Sequence, residues 1–414
     1  MQEGKKTKAG QPILCQLLSF IPEDIFKAAV QKTGANHYYK KMWAKDHFVC
    51  LFYAVLTRNA SLREVCRQIV LLGNSLIYCG IKQIPKKSTL SDANKERSQE
   101  FFQQLYLSLF THYKSYLNKS TFSLPIGGEI AAEKVEVFDS TTITLFKEIL
   151  KGAGRNAING KKKGGLKVFT KMNLLENAPN YICMKAASAN ETGFLALMEL
   201  DEGTVALMDK GFNHYAYFAR LTDCNRYFVT RIRDNAKYEI EGTFPIEPGS
   251  SIRSDQAISL CYKENKVNRT VKLRLVTFQD PISGEILRFL TNLKEVSGQT
   301  IAQLYKNRWV IEVFFKQLKQ NFELKYFLSD SENGIKSQIW VALIANLIFT
   351  VIERMTKKAE DFATLVSISA KNLCSYVAFV QFISQPELYA KAWMNSEIKH
   401  GIVPQITFDK PGGG

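Results

Sequence analysis

Two short apolar stretches, VEVFD (residues 135–139) and VALMD (205–209), each run into an aspartate. Both have the character of strands buried within a sheet. An acid at the end of a buried strand is costly unless it is paired or holds a cation. Each aspartate also has a local alternative: Asp139 as a turn cap with Ser140 and Thr141, Asp209 as the start of the DKGF turn. Placed on two central strands of one sheet, however, they can share a single point.

The flanking segments supply such a sheet. LKVFTKMNLL (166–175), YICMKAASA (181–189) and RYFVTRIR (226–233) read as strands, and ETGFLALMEL (191–200) and HYAYFARLTDCN (214–225) as helices. The order β-β-β-α-β-α-β predicts an α/β fold with a ribonuclease H-like catalytic core over residues 126–234 and 296–333. Residues 235–295, with turn signals at EPGS and DPISGE, predict an inserted β-rich subdomain. Residues 1–125 predict a helical DNA-binding domain, and residues 334–414 a C-terminal helical region with a disordered tail.

A third acid lies in LYKNRWVIEVFFKQLKQNF (304–322). Nothing between Gln299 and Phe322 is Pro or Gly, and Thr300 with Gln303 resembles a capping box, so one continuous helix is predicted. At about 100° per residue, Tyr305, Arg308, Glu312 and Lys319 fall within an arc of about 60°, with Lys316 beside it. A solvated face with Arg308–Glu312 and Glu312–Lys316 pairs is the plain reading. Trp309, beside the stripe, reads as core packing, with stacking on an extruded base as the alternative.

Charge favours the functional reading. Lys and Arg number 55 against 39 Asp and Glu, a net charge of +16 and a pI near 9.3. That points to a polyanionic partner, most simply nucleic acid. No strongly amphipathic basic helix suggests a membrane surface, and the apolar run IWVALIANLIFTVI (339–352) is too short to span one and contains Asn346. The eight cysteines form no CxxC pair and read mostly as buried, reduced thiols. The N-terminal MQEGKKTKAG has no apolar core of a secretory signal, which predicts a cytoplasmic protein. In the N-terminal region, SLREVCRQIVLLG has a Ser61 cap with Glu64, and KKSTLSDANKERSQEFFQQLYLSLF (86–110) continues with helical spacing from a cap at Ser88 or Ser91. The segment opened by Lys86, Lys87, Ser88 and Thr89 has two readings, a helix-turn-helix or ordinary helical packing.

Carboxylates converging without His or Cys select hard cations such as Mg2+ or Mn2+. Two such ions stabilise the attacking and leaving oxygens of a displacement at phosphorus. The five histidines lie far apart in sequence and offer no zinc constellation.

With these residues in view, the chain resembles the DDE transposases of the IS4 family, particularly the branch common in Bacteroidetes insertion sequences. Tyr305, Arg308, Glu312 and Lys319 match its Y-x2-R-x3-E-x6-K signature; FDSTTI resembles its first aspartate motif and MDKGF its second. The resemblance spans roughly residues 10–330. It implies Asp139, Asp209 and Glu312 as catalytic metal ligands for two Mg2+ or Mn2+ ions. It implies DNA contacts by Tyr305, Arg308, Lys316 and Lys319. Lys161, Lys162 and Lys163 of the loop 151–165, and Arg231 and Arg233, are further candidates for phosphate contact; for the lysines a solvated loop is an equal reading. It further implies cleavage at terminal inverted repeats, a hairpin intermediate, transfer of the 3′-OH to target DNA, a homodimer joining two ends, and a bacterial, nucleoid-associated setting. Phe169 departs from relatives that carry His there. The rival readings are a ribonuclease H-like nuclease that only cuts, a non-catalytic DNA-binding relic, and a two-carboxylate hydrolase, which the basic charge disfavours.

Overall fold

The computed structural model of the chain describes residues 11–391 apart from 74, 82–83, 118–129, 145–163, 196, 323, 325, 358 and 388–389. The described strands are β1 (Val135–Thr144), β2 (Gly165–Asn173), β3 (Pro179–Ala186), β4 (Val205–Met208), β5 (Tyr227–Arg231), β6 (Glu239–Thr243), β7 (Ile252–Glu264), β8 (Val267–Gln279) and β9 (Ile286–Thr291). They form one nine-stranded sheet in the order β3-β2-β1-β4-β5-β9-β8-β7-β6. β1, β2 and β3 pair antiparallel, whereas β1, β4 and β5 run parallel. The chain is mixed α/β, with helices before and after the sheet.

Strand alternation divides the interior. Val135 and Val137 of β1, Val205 and Leu207 of β4 and Val229 of β5 enter one core, shared with the N- and C-terminal helices. Phe138, Phe169, Ala206, Met208 and Phe228 point the other way, into a core closed by Phe194, Phe212 and the helix Tyr215–Asp223. Among the described residues, the segment predicted as a helix at 191–200 holds the helical turn Thr192–Leu195.

The strands of 239–291 continue this sheet and do not build a second one. β9 pairs with β5 on one side and β8 on the other. β6 and β7 escape notice in the sequence because polar residues interrupt the apolar pattern, among them Asp255 near the start of β7. That acid is buried and takes a bidentate contact from Arg274 of β8, with Nε–Oδ1 at 2.7 Å and Nη2–Oδ2 at 2.6 Å. The β7–β8 hairpin turns at Asn265 and Lys266, both at positive φ (51° and 67°), the backbone that a two-residue hairpin loop needs.

In the N-terminal region the Ser61 cap is present: Ser61 Oγ accepts from Glu64 N, and Glu64 Oε2 accepts from Ala60 N. The run 86–110 is two helices, Lys87–Glu96 and Glu100–Leu117, and the first is capped at Lys86, without Ser88 or Ser91. The chain leaves the helix at Arg97, whose backbone turns extended. Its side chain is drawn inward to the carbonyls of Ala35 (2.9 Å) and Met42 (2.6 Å).

The apolar run at 339–352 lies within a longer helix, Glu332–Met355. It is the one described helix long and apolar enough to cross a membrane, and nearly all of it is buried within the fold. It ties the parts together: Trp340 Nε1 donates to Gln99 Oε1 at 2.6 Å, and Arg354 Nη2 donates to the carbonyls of Leu175 and Glu176 at 3.0 Å each. None of the cysteines forms a disulfide, but only Cys15, Cys50 and Cys79 are buried; Cys224, Cys261 and Cys374 are exposed.

Candidate active site

The parallel register sets Val137 beside Leu207 and Phe138 beside Met208. The next residues along, Asp139 and Asp209, therefore emerge side by side. Alternation places Asp139 on the face of Val135 and Val137, and Asp209 on the face of Val205 and Leu207, the side shared with the N- and C-terminal helices. Asp139 does not end its strand as its sequence suggested. β1 continues to Thr144, paired with β2, and it is β4 that stops at Met208. The carboxylates thus sit where β1 projects beyond its parallel neighbour. Asp209 caps the following turn, its Oδ2 accepting from Gly211 N at 3.2 Å.

The stretch expected as one helix is two, Gly298–Lys306 and Trp309–Asn321. Its cap is Ser297, whose Oγ accepts from Thr300 N at 3.1 Å; the proposed box at Thr300 is not used. At the break the backbone tightens to three-residue spacing: Asn307 N bonds Leu304 O, Arg308 N bonds Tyr305 O, and Asn307 Nδ2 reaches back to Gln303 O. An asparagine that competes for helix carbonyls is the local cause. The break aims Arg308 at the sheet.

Arg308 Nη1 lies 3.0 Å from Asp139 Oδ2, and Nη2 donates to Glu312 Oε1 one turn on. Ile311, Phe314, Phe315 and Leu318 bury the opposite side of the helix in the shared core and hold Glu312 over β1. Lys319 Nζ donates to Thr142 O at 3.3 Å, and burial lowers its pKa. Tyr305 is buried beside Phe289, ring centroids 4.9 Å apart, with the Arg308 guanidinium 5.6 Å from its ring. Lys316 is exposed, and Glu312 pairs with Arg308. Trp309, expected in the core, is 63% exposed, because the break rotates it away from the apolar side.

Burial raises the pKa of Asp139 to about 6; Asp209 and Glu312 push the same way, while the Ser140 N–H and Arg308 oppose them. Burial works against the charge on Arg308, but Tyr305, Asp139 and Glu312 outweigh it and raise its pKa. The cluster therefore lacks positive charge, and the guanidinium supplies part of it. All three acids offer hard oxygen donors, the set that suits a divalent cation. Among the described residues no three acidic, His or Cys side chains already form an ion site. Arg308 stands between Asp139 and Glu312.

Arg233 Nη2 donates to Gly211 O at 3.4 Å, beside the Asp209 turn, and Arg231 lies 3.9 Å from Glu285. Lys161, Lys162 and Lys163 fall outside the described residues. Phe169 is fully buried and stacked on Phe194, centroids 4.6 Å apart, on the face away from the carboxylates, so it offers no surface to a ligand.

Two residues went unnoticed in the sequence. Glu191 Oε1 accepts from Lys167 Nζ at 3.1 Å and from Ser140 Oγ at 3.2 Å. Its other oxygen packs on Gly211, where a Cβ would collide with it. This pair braces the Asp209 turn against β1. The available signal was Lys167 itself, a lysine inside the apolar strand GLKVF.

Asp139 and Asp209 on adjacent strands and Glu312 on a covering helix, with Arg308, Lys319 and Arg233 at hand, are the residue types from which sites that handle phosphoryl groups through a divalent cation are built. The comparisons with known proteins agree with that class. The Transposase DDE domain family matches residues 131–348, just over half of the chain, and a domain of unknown function (DUF4372) matches residues 9–82. This chain belongs to the family of DDE-domain transposases. It is 26% identical over 227 residues to the putative transposase y4zB of Sinorhizobium fredii, covering 54% of this chain and 62% of that protein. It is 27% identical over 310 residues to the putative transposase for insertion sequence element IS4SA of Synechocystis, covering 72% and 81% respectively. A piggyBac transposase, solved in a synaptic complex with hairpin DNA, shares 11% identity at a TM-score of 0.44 over 99% of this chain and 88% of that one, a likeness too distant to carry an argument. Members of the DDE family require a divalent metal in general.

Proposed function

We propose that this protein is the transposase of a bacterial insertion sequence, acting at the nucleoid: it binds the terminal inverted repeats, cleaves the phosphodiester there and joins the freed 3′-OH to target DNA. The observation that carries this reading is the side-by-side emergence of Asp139 and Asp209 beneath Glu312, in a chain of the DDE family. The strand order β3-β2-β1-β4-β5, antiparallel then parallel, supports a ribonuclease H-like core. Asp139, Asp209 and Glu312 would hold two Mg2+ or Mn2+ ions, which when bound activate the nucleophile and stabilise the leaving oxygen.

The remaining roles belong to the side chains. Arg308 neutralises the acids until its fork is released to a DNA phosphate, where it can engage two oxygens. Lys316 and Lys319 continue the cationic edge of the same helix, and Tyr305 lies behind Arg308 as its aromatic support. Arg231 and Arg233 extend the path for the strand, and Lys161, Lys162 and Lys163 are candidates for phosphate contact by their charge. The apolar side of the helix fixes the position of Glu312. Two ends must be held at once, so the working form is a homodimer.

The test uses purified protein and a labelled duplex carrying the DNA that flanks its own coding sequence. Nicking that needs Mg2+ or Mn2+, is abolished by EDTA, and disappears in Asp139→Ala, Asp209→Ala and Glu312→Ala while binding persists would support the reading. A strand-transfer product separates a transposase from a nuclease. Binding without cleavage under every metal would favour the relic.

A further inference from the structure

The domain of unknown function at residues 9–82 contains a loop that the catalytic site does not explain. Residues 34–43, GANHYYKKMW, join the helices Glu23–Thr33 and Ala44–Thr57. Both stems are held by one buried side chain. Arg97 donates from Nε to Ala35 O (2.9 Å) and from Nη2 to Met42 O (2.6 Å), with its guanidinium 4.0 Å from the centre of the Tyr39 ring. Asn36 Oδ1 accepts from Ala44 N at 2.7 Å. The loop is therefore presented, not merely tolerated.

What it presents is unusual for a loop tip. Tyr38 is 90% exposed and sits at φ +65°, a left-handed region that an ordinary L residue rarely adopts. The His37 ring lies 3.9 Å from the Tyr38 ring, and Lys40 and Lys41 follow, both exposed. Trp43 closes the segment at 47% exposure. Glycine or asparagine would satisfy the backbone there at less cost. Glu96 is the neighbouring acid below Tyr39, and Glu23 is already engaged by Lys45 at 3.4 Å. An aromatic ring held out on a braced loop, followed by two exposed lysines, matches a polyanion that also offers flat apolar surface.

We propose that this loop is a DNA-docking finger: Lys40 and Lys41 contact phosphates, and the Tyr38 ring packs on sugar and base edges in a groove of duplex DNA. The proposal rests on the transposition reading for its partner but can fail separately from it.

The test measures anisotropy of the labelled flanking duplex with full-length protein carrying Asp139→Ala to prevent cleavage. Tyr38→Ala and Tyr38→Gly are expected to weaken binding by roughly fivefold or more, the range of lost aromatic stacking on nucleic acid. Tyr38→Gly is also expected to keep or raise the melting temperature, a result opposite to that of a structural role. Lys40→Ala with Lys41→Ala is expected to reduce the slope of log affinity against log salt by roughly two. Unchanged affinity and slope, in protein whose parent binds and cleaves the duplex, overturn the finger and leave the transposase reading intact. A Tyr38→Ala effect confined to the oligomeric state in sedimentation would assign the loop to a second copy and overturn it too. Failure of the parent protein to bind any duplex overturns both.

Discussion

Arg308 reaches across 169 positions to place its Nη1 3.0 Å from the Oδ2 of Asp139, with only 14% of its side chain exposed. Its other arm holds Glu312. A cation entering the cluster must compete with this guanidinium. We expect Arg308→Ala to lose about 1–3 kcal/mol of stability in metal-free protein, from charged hydrogen bonds left unmade. We also expect added Mg2+ to raise the melting temperature more in the variant than in the parent, although cleavage falls. Equal Mg2+ shifts in the two proteins would show that no competition exists.

A side chain at Gly211 would have to displace the Glu191 carboxylate. Any Cβ there meets the Glu191 carboxylate that Lys167 and Ser140 hold in place. Gly211→Ala should cost about 1–3 kcal/mol by overpacking and displace the Asp209 turn. Adding Glu191→Ala should recover part of that loss. A double-mutant cycle read by denaturation gives the answer, and additive costs would refute the contact.

The buried pair of Asp255 and Arg274 links the sheet extension to the helix Gly298–Lys306. Arg274 Nη1 also bonds the carbonyls of Leu293, Lys294 and Val296, just before the Ser297 cap. Asp255→Asn should destabilise the protein by about 3–5 kcal/mol, since it strands a buried cation. Replacing both with apolar residues should cost less. Urea denaturation of the single and double variants distinguishes the two outcomes.

Burial raises the pKa of Glu176 from 4.5 to about 7, with Lys114, Arg354 and Lys171 opposing it and Glu136 adding to it. The folded state therefore keeps a proton that the unfolded chain has released between those values. This contribution to stability is complete below pH 4.5 and is lost as pH rises through about 7. Glu176→Gln removes the titration. Its stability relative to the parent should rise by about 1–2 kcal/mol between pH 5 and pH 8. A constant difference across that range would show that Glu176 ionises freely in the fold.

Much of the sheet could be read from short segments. β1 to β5 were legible because apolar residues recur within each strand, and Glu312 stood out because Arg308 lies one helical turn before it. β7 was not legible, since its buried Asp255 reads as surface until Arg274 is brought beside it. The helix break at Asn307 and the exposure of Trp309 were hidden by a periodicity that ran smoothly through them. Arg97 ended a helix for the sake of carbonyls more than fifty positions away.

The sequence by itself determined which residues are the candidates for the chemistry, because strand alternation, helical spacing and excess positive charge are local or summed properties. Tertiary structure decided that Asp139 and Asp209 emerge as neighbours, that Arg308 turns inward to them, and that Glu191 and Lys167 brace the turn. Those relations depend on strand register and on contacts between distant segments. Their free energy arises only when the chain closes on itself, and no local pattern records it.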